Sequence, residues 1–199
     1  MTQQMFLDQL LKLLSANRKF PKYQHERRID LFVNFFLPEI LDAEYGTAID
    51  FVVPEFPLKN PASSLTTNVD YFAYSSKDSL IYLCEFKTNA KSFDEQQLER
   101  YFQAQQDGWS RLFEDIEAVS SSTAPKHREK YAELRKTVQA IPPDVDITVV
   151  YIAPEATRSK LDAFVSRKGF SFLSLESLAT LRIDTSFVDE WNLVRSNLQ

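Results

Sequence analysis

Glycine is scarce: the chain has three in 199 residues. A phosphate-cradling loop needs closely spaced glycines whose N–H groups can approach the ligand, so nucleotide binding of that kind is excluded. One cysteine rules out an internal disulfide framework and a Cys-rich zinc or iron–sulfur centre. No apolar run approaches the roughly 18 residues of a membrane-spanning helix. The histidines, His25 and His127, have no neighbouring Ser or Cys that reads as a nucleophile, so nothing supports a catalytic triad. Positive charge is in deficit, with 23 Lys and Arg against 28 Asp and Glu. That argues against a generic polyanion binder while leaving room for a local basic patch.

The remainder is ordinary for a globular chain: 44% hydrophobic and 26% charged, enough to build a core. The expectation is one domain over residues 1–199. It has an N-terminal helix over 3–15, a core over about 23–153 and a C-terminal α/β elaboration over 154–199. The opening "MTQQMFLDQLLKLL" carries Asp8 and Lys12 and lacks a basic start and a cleavage site, which reads as a helix and not a signal peptide. A soluble, cytoplasmic protein with no membrane partner is expected.

The apolar positions Ile29, Phe32, Val33, Phe36 and Leu37 predict a helix over about 23–41. "TAIDFVVPEFPL", "NVDYFAY" and "SLIYLCEFKT" predict strands, the last two joined by the turn-like "SSKDS", so an antiparallel meander follows. Ser92 and Glu95 form an S-x-x-E pattern that starts a long helix with Leu98, Tyr101, Phe102, Trp109, Phe113 and Ile116 inward. A charged helix is expected over 126–139. "ITVVYIAP", apolar on both faces, reads as a central or parallel strand. A helix over 156–168, a short strand over 170–175 and terminal helices complete an α/β chain of order α-β-β-β-α-β.

Chemistry concentrates in the second and third strands. With the turn centred between Lys77 and Asp78, residue i faces residue 155 − i, and Asp70 lies opposite Glu85 and Asn68 opposite Lys87. Alternation then puts Asn68, Asp70, Glu85 and Lys87 on one face. Opposed Cβ atoms are about 4.5–5.5 Å apart, so two carboxylates there need a counter-charge or a proton. Lys87 supplies one positive charge and a divalent cation can supply more. Hard carboxylate oxygens suit Mg²⁺ or Mn²⁺. Against this, a lone [DE]-x-K tripeptide has a bland reading as a solvated strand end.

Asp70, then Glu85-Phe86-Lys87, set in this element order, resembles the PD-(D/E)XK nuclease superfamily over roughly residues 23–153. Gln97-Leu98-Glu99-Arg100-Tyr101 is similar to the Q-x-x-x-Y motif of its RecB-type branch. The resemblance implies a restriction-endonuclease-like core and a Mg²⁺- or Mn²⁺-dependent hydrolase of phosphodiester bonds in nucleic acid, DNA foremost. It implies Asp70, Glu85 and the Phe86 carbonyl as metal ligands and Lys87 as the catalytic lysine. Gln97 and Tyr101 would position water or a substrate phosphate. Val69 stands where the pattern often has proline. An upstream acid is expected from the first helix: Glu26, with Glu39 as the alternative. His25 could play the upstream histidine of some members, although a surface role reads better.

Core packing competes with function for Tyr101, and Glu26 could equally pair with Arg27 or Arg28 on the surface. Cys84 reads as a core thiol facing away from Glu85. Basic residues group at 17–28, 126–136 and 158–168, each a solvated helix face or a phosphate contact. Two rivals stand beside the nuclease: a catalytically silent nuclease-fold module that binds or regulates, and an unrelated α/β protein with a strand-end ion pair.

Overall fold

The computed structural model describes residues 9–10, 12–13, 25–59, 66–122 and 125–198. Of the helix expected over 3–15, residues 9–10 and 12–13 are helical and the rest lies outside the described residues. The chain is α/β, built on a five-stranded mixed sheet in the order β1-β2-β3-β4-β5. The strands are β1 (Phe51–Lys59), β2 (Thr66–Ser75), β3 (Leu80–Phe86), β4 (Asp146–Ala153) and β5 (Phe170–Ser174). The first three form an antiparallel meander, and β4 runs parallel to both β3 and β5. β4 is thus internal, as its two-faced apolar sequence predicts.

Helices cover both faces. Against one lie α2 (Glu95–Ser122), α3 (Pro125–Val138) and α4 (Arg158–Val165), through Leu98, Tyr101, Phe102, Trp109, Val138 and Phe164. Against the other lie α1 (His25–Tyr45), α5 (Leu175–Leu178) and α6 (Val188–Arg195), through Ile29, Val33, Leu37, Leu178 and Trp191. Among the described residues, no helix is long and apolar enough to cross a membrane.

Several boundaries differ from expectation for local reasons. α1 runs on through Pro38 to Tyr45 and stops at Gly46, whose φ of 68° lets its N–H reach the Asp42 carbonyl at 2.7 Å. Ser92 does not cap α2. It closes a 3₁₀ turn (Ala90–Ser92), and Asp94 caps instead, its Oδ1 accepting from the Gln97 N–H at 3.1 Å. α2 is broken at Gly108 (φ 76°, ψ 169°). The helix expected over 156–168 begins as a 3₁₀ turn, Glu155–Thr157, before α4.

One irregularity bears on the site. In β1, Phe51 and Val53 pack on the α2 side, but farther along Phe56 and Leu58 do. In β2, Phe72 and Tyr74 face α2, but so does Val69, while Tyr71 packs on the α1 side. Side-chain alternation therefore slips by one residue in both strands. The slip falls between the pairs Pro54↔Tyr71 and Phe56↔Val69, which bracket Glu55 and Asp70. Glu55 takes the strain, with φ 53°. Because both strands slip together, the register on either side is unchanged.

Candidate functional site

Asp70 and Glu85 meet because of the register. The β2/β3 ladder pairs Tyr71 with Cys84 and Phe72 with Leu83, an index sum of 155, and it closes with a turn over Ser76–Ser79. The next pair along is Asp70 and Glu85. There the Asp70 carboxylate takes over from the backbone: its Oδ2 accepts the Phe86 N–H at 2.7 Å. A side chain thereby fixes Asp70 to β3 where the regular ladder ends.

Glu85 is fully buried, and Lys87 is 9% exposed. The Lys87 ammonium forms an ion pair with Glu85 Oε1 and lies 3.8 Å from Asp70 Oδ2. The Lys87 backbone N–H donates to the Ile152 carbonyl at 2.8 Å, extending the β3/β4 ladder one residue beyond Phe86. On the other side of the carboxylate, the Tyr101 hydroxyl donates to Glu85 Oε2. Gln97 Nε2 donates to that hydroxyl at 2.6 Å, as the one-turn spacing in α2 allows. The Asn68 carbonyl lies 3.1 Å from the same hydroxyl.

Burial dominates the electrostatics. Desolvation, and then the charge of Asp70, push the Glu85 carboxyl up to about 7, against the pull of Lys87 and of the Tyr101 hydrogen bond. The Tyr101 phenol is raised by burial and next by the Glu85 charge.

All five predicted residues on β2, β3 and α2 come together: Asp70, Glu85, Lys87, Gln97 and Tyr101. Tyr101 has no exposed surface and Gln97 is bound to it, so the pair orients Glu85. Asn68 is a correction. The slip in β2 turns its side chain away from the Glu85–Lys87 face, and its Nδ2 donates to Glu55 Oε2 at 3.2 Å. What Asn68 brings to the cluster is its carbonyl. Sequence carried no signal for this, since every residue has one.

The upstream acid is divided between two positions. The Glu26 side chain, like that of His25, lies outside the described residues. Asp30, one turn farther along α1, accepts a hydrogen bond from Tyr71, the neighbour of Asp70, on Oδ1. The bond joins α1 to β2 at the residue after Asp70. Glu39, the alternative, lies nine residues beyond Asp30, about 13 Å along the helix axis. Asp30 went unnoticed in the sequence because its link to β2 passes through a tyrosine hydroxyl. Cys84 is fully buried on the α1 side, where desolvation raises its thiol pKa. In the 158–168 basic group, Arg158 pairs with Glu155 and Arg167 with Glu99 at 2.7 Å, both on the surface.

The donor set suits a hard cation. Two carboxylates from neighbouring strands converge, and Glu85 Oε1 is buried against the Lys87 ammonium. Among the described residues, no group of three or more His, Cys, Asp and Glu forms a cage. Asp70, Glu85 and the Phe86 carbonyl would therefore be the ligands these residues offer, with α1 the source of any further acid. No family model, curated protein or solved structure matches the chain.

Proposed function

We propose that the protein is a divalent-metal-dependent nuclease of restriction-endonuclease-like architecture that hydrolyses phosphodiester bonds in DNA. The observation that carries this reading is the buried Glu85 carboxylate facing Asp70 across the hairpin, with the Lys87 ammonium between them. A fully buried acid beside a second acid is costly, and such arrangements cluster at functional sites.

Asp70 and Glu85 would hold Mg²⁺ or Mn²⁺. When bound, the cation would make water more acidic and draw negative charge from a phosphoryl oxygen. Tyr101 anchors Glu85 Oε2 and so leaves Oε1 directed at Lys87. Gln97 holds the Tyr101 hydroxyl in the orientation that donates to Glu85. Lys87 stabilises the negative charge that builds on the phosphorus substituents and orients the attacking water. The phosphodiester is the natural substrate for this set, since its developing charge is anionic and matched by the ammonium.

One observation favours a silent binding module. Lys87 already meets both carboxylates, so the cluster is neutralised in part without a cation. An assay separates the readings: linear, nicked and single-stranded DNA are incubated with Mg²⁺ or Mn²⁺ and the wild type, Lys87→Ala or Asp70→Asn. Cleavage by the wild type alone supports the nuclease. Metal binding without cleavage of any substrate supports the module.

A further inference from the structure

A groove of about 850 Å³ opens between the outer strand β1 and helix α3. Its volume is that of a typical ligand site. Two of its lining residues also border the carboxylate cluster. Glu55 occupies the register position opposite Asp70, and the carbonyl of Asn68 faces the Tyr101 hydroxyl. Asn68 and Asp70 are two residues apart, about 7 Å along an extended strand.

The walls have a consistent chemistry. Val53 from β1 packs on the same side of the sheet as Tyr131 and Leu134 from α3, and Val52, Pro54 and Pro57 complete the lining, giving apolar walls with one aromatic ring. The polar groups are few: the hydroxyls of Thr66 and Thr137, the Asn68 amide held by Glu55 at 3.2 Å, and the charges of Glu55, Glu133 and Lys130. Two carboxylates against one ammonium disfavour a run of phosphates. They suit an uncharged planar body whose edge carries amino groups, because carboxylates accept from exocyclic amines and an Asn amide can pair with a base edge. A tyrosine ring is the platform on which an unstacked base settles. A peptide added along β1 fits less well, since Pro54 and Pro57 have no N–H to donate.

We propose that this groove is a nucleobase subsite. It receives an unstacked base next to the phosphodiester held at Asp70 and Glu85, and it makes an unpaired strand the preferred substrate. A base within a duplex is stacked and paired and reaches such a groove only after extrusion. The placement of the phosphodiester rests on the nuclease reading. The binding of a base can be tested without it.

The probe is a short single-stranded DNA with one 2-aminopurine, titrated with the full-length protein in EDTA so that no cleavage occurs. A matched strand carries an abasic site at the same position. Wild type is expected to change the 2-aminopurine emission on binding and to bind the abasic strand roughly tenfold more weakly. Tyr131→Ala, which removes the ring, and Thr137→Trp, which fills the groove from an exposed position, are expected to lose about the same factor and to abolish the difference between strands. The abasic comparison needs only wild type, so a variant that fails to fold leaves the outcome decided. Equal affinity for the two strands, or no binding of single-stranded DNA, overturns the subsite. Cleavage is read separately with Mg²⁺. Base-dependent binding without cleavage keeps the subsite and sinks the nuclease reading; cleavage without base dependence does the reverse.

Discussion

The Tyr101 hydroxyl donates to Glu85 Oε2, and neither side chain has any exposed surface. The tyrosine comes from α2 and the glutamate from β3, so the bond ties the helix to the sheet at the buried carboxylate. Gln97 and the Asn68 carbonyl surround the same hydroxyl. A phenol with its proton held by burial and by a neighbouring anion is a dependable donor, and this one sets the orientation of Glu85.

Tyr101→Phe removes that donor and leaves the packing almost unchanged. A buried carboxylate oxygen then lacks its partner, at a cost of about 1–3 kcal/mol. Chemical denaturation at neutral pH should show a lower midpoint with an unaltered slope. An unchanged midpoint would mean that the hydrogen bond contributes nothing net.

Glu85 gives the protein a pH-dependent stability. Its folded-state pKa is about 7 against an ordinary 4.5. Between those values the folded state holds the extra proton, so stability falls as pH rises from about 4.5 to about 7 and is level above. The contribution is on the order of 3 kcal/mol. Glu85→Gln should flatten this part of the stability–pH profile. A cation competes with the same proton, so calorimetric Mg²⁺ affinity should weaken on going from about pH 8 to about pH 6.

Removing Lys87 leaves Glu85 with a second acid and no ammonium. Lys87→Met should cost up to about 3–5 kcal/mol above neutral pH, and less in mild acid, where Glu85 takes up a proton in compensation. The Glu85 pKa itself should move up, since Lys87 lowers it. Carboxyl stretching bands followed through a pH titration report the shift. A Glu85 that still titrates near 7 in the variant would contradict the ion pair.

Gly108 breaks α2 with φ 76° and ψ 169°, a conformation open to glycine almost alone. A Cβ there would meet no atom within 4 Å, so the penalty of Gly108→Ala is backbone strain by itself. A loss of about 1–3 kcal/mol in thermal or denaturant unfolding is expected.

Cys84 is sealed in the α1-side core, and burial raises its thiol pKa. It should resist a thiol reagent in the native protein and react at once in denaturant. Rapid native labelling would place it elsewhere.

Much of this was legible because it follows from local rules. The turn of Ser76–Ser79 fixes the hairpin register, and the register alone brings Asp70 opposite Glu85. The one-turn spacing of Gln97 and Tyr101 on a helix following the Glu85 strand puts both near it. The two-faced apolar run of β4 predicts an internal parallel strand. These features depend on backbone geometry that is the same in every protein.

Other features came only from tertiary packing. The matched slip at Glu55 and Asp70 requires two strands to misalign together, and no single strand's pattern reveals it. Asn68 turns outward because of that slip, and Asp30 is joined to β2 through the hydroxyl of Tyr71. The sequence by itself determined which residues could face one another across a hairpin or along a helix. Only the folded chain decided how deeply Glu85 is buried, and burial is what raises its proton affinity: desolvation depends on everything packed around a group, and no short stretch of sequence contains that.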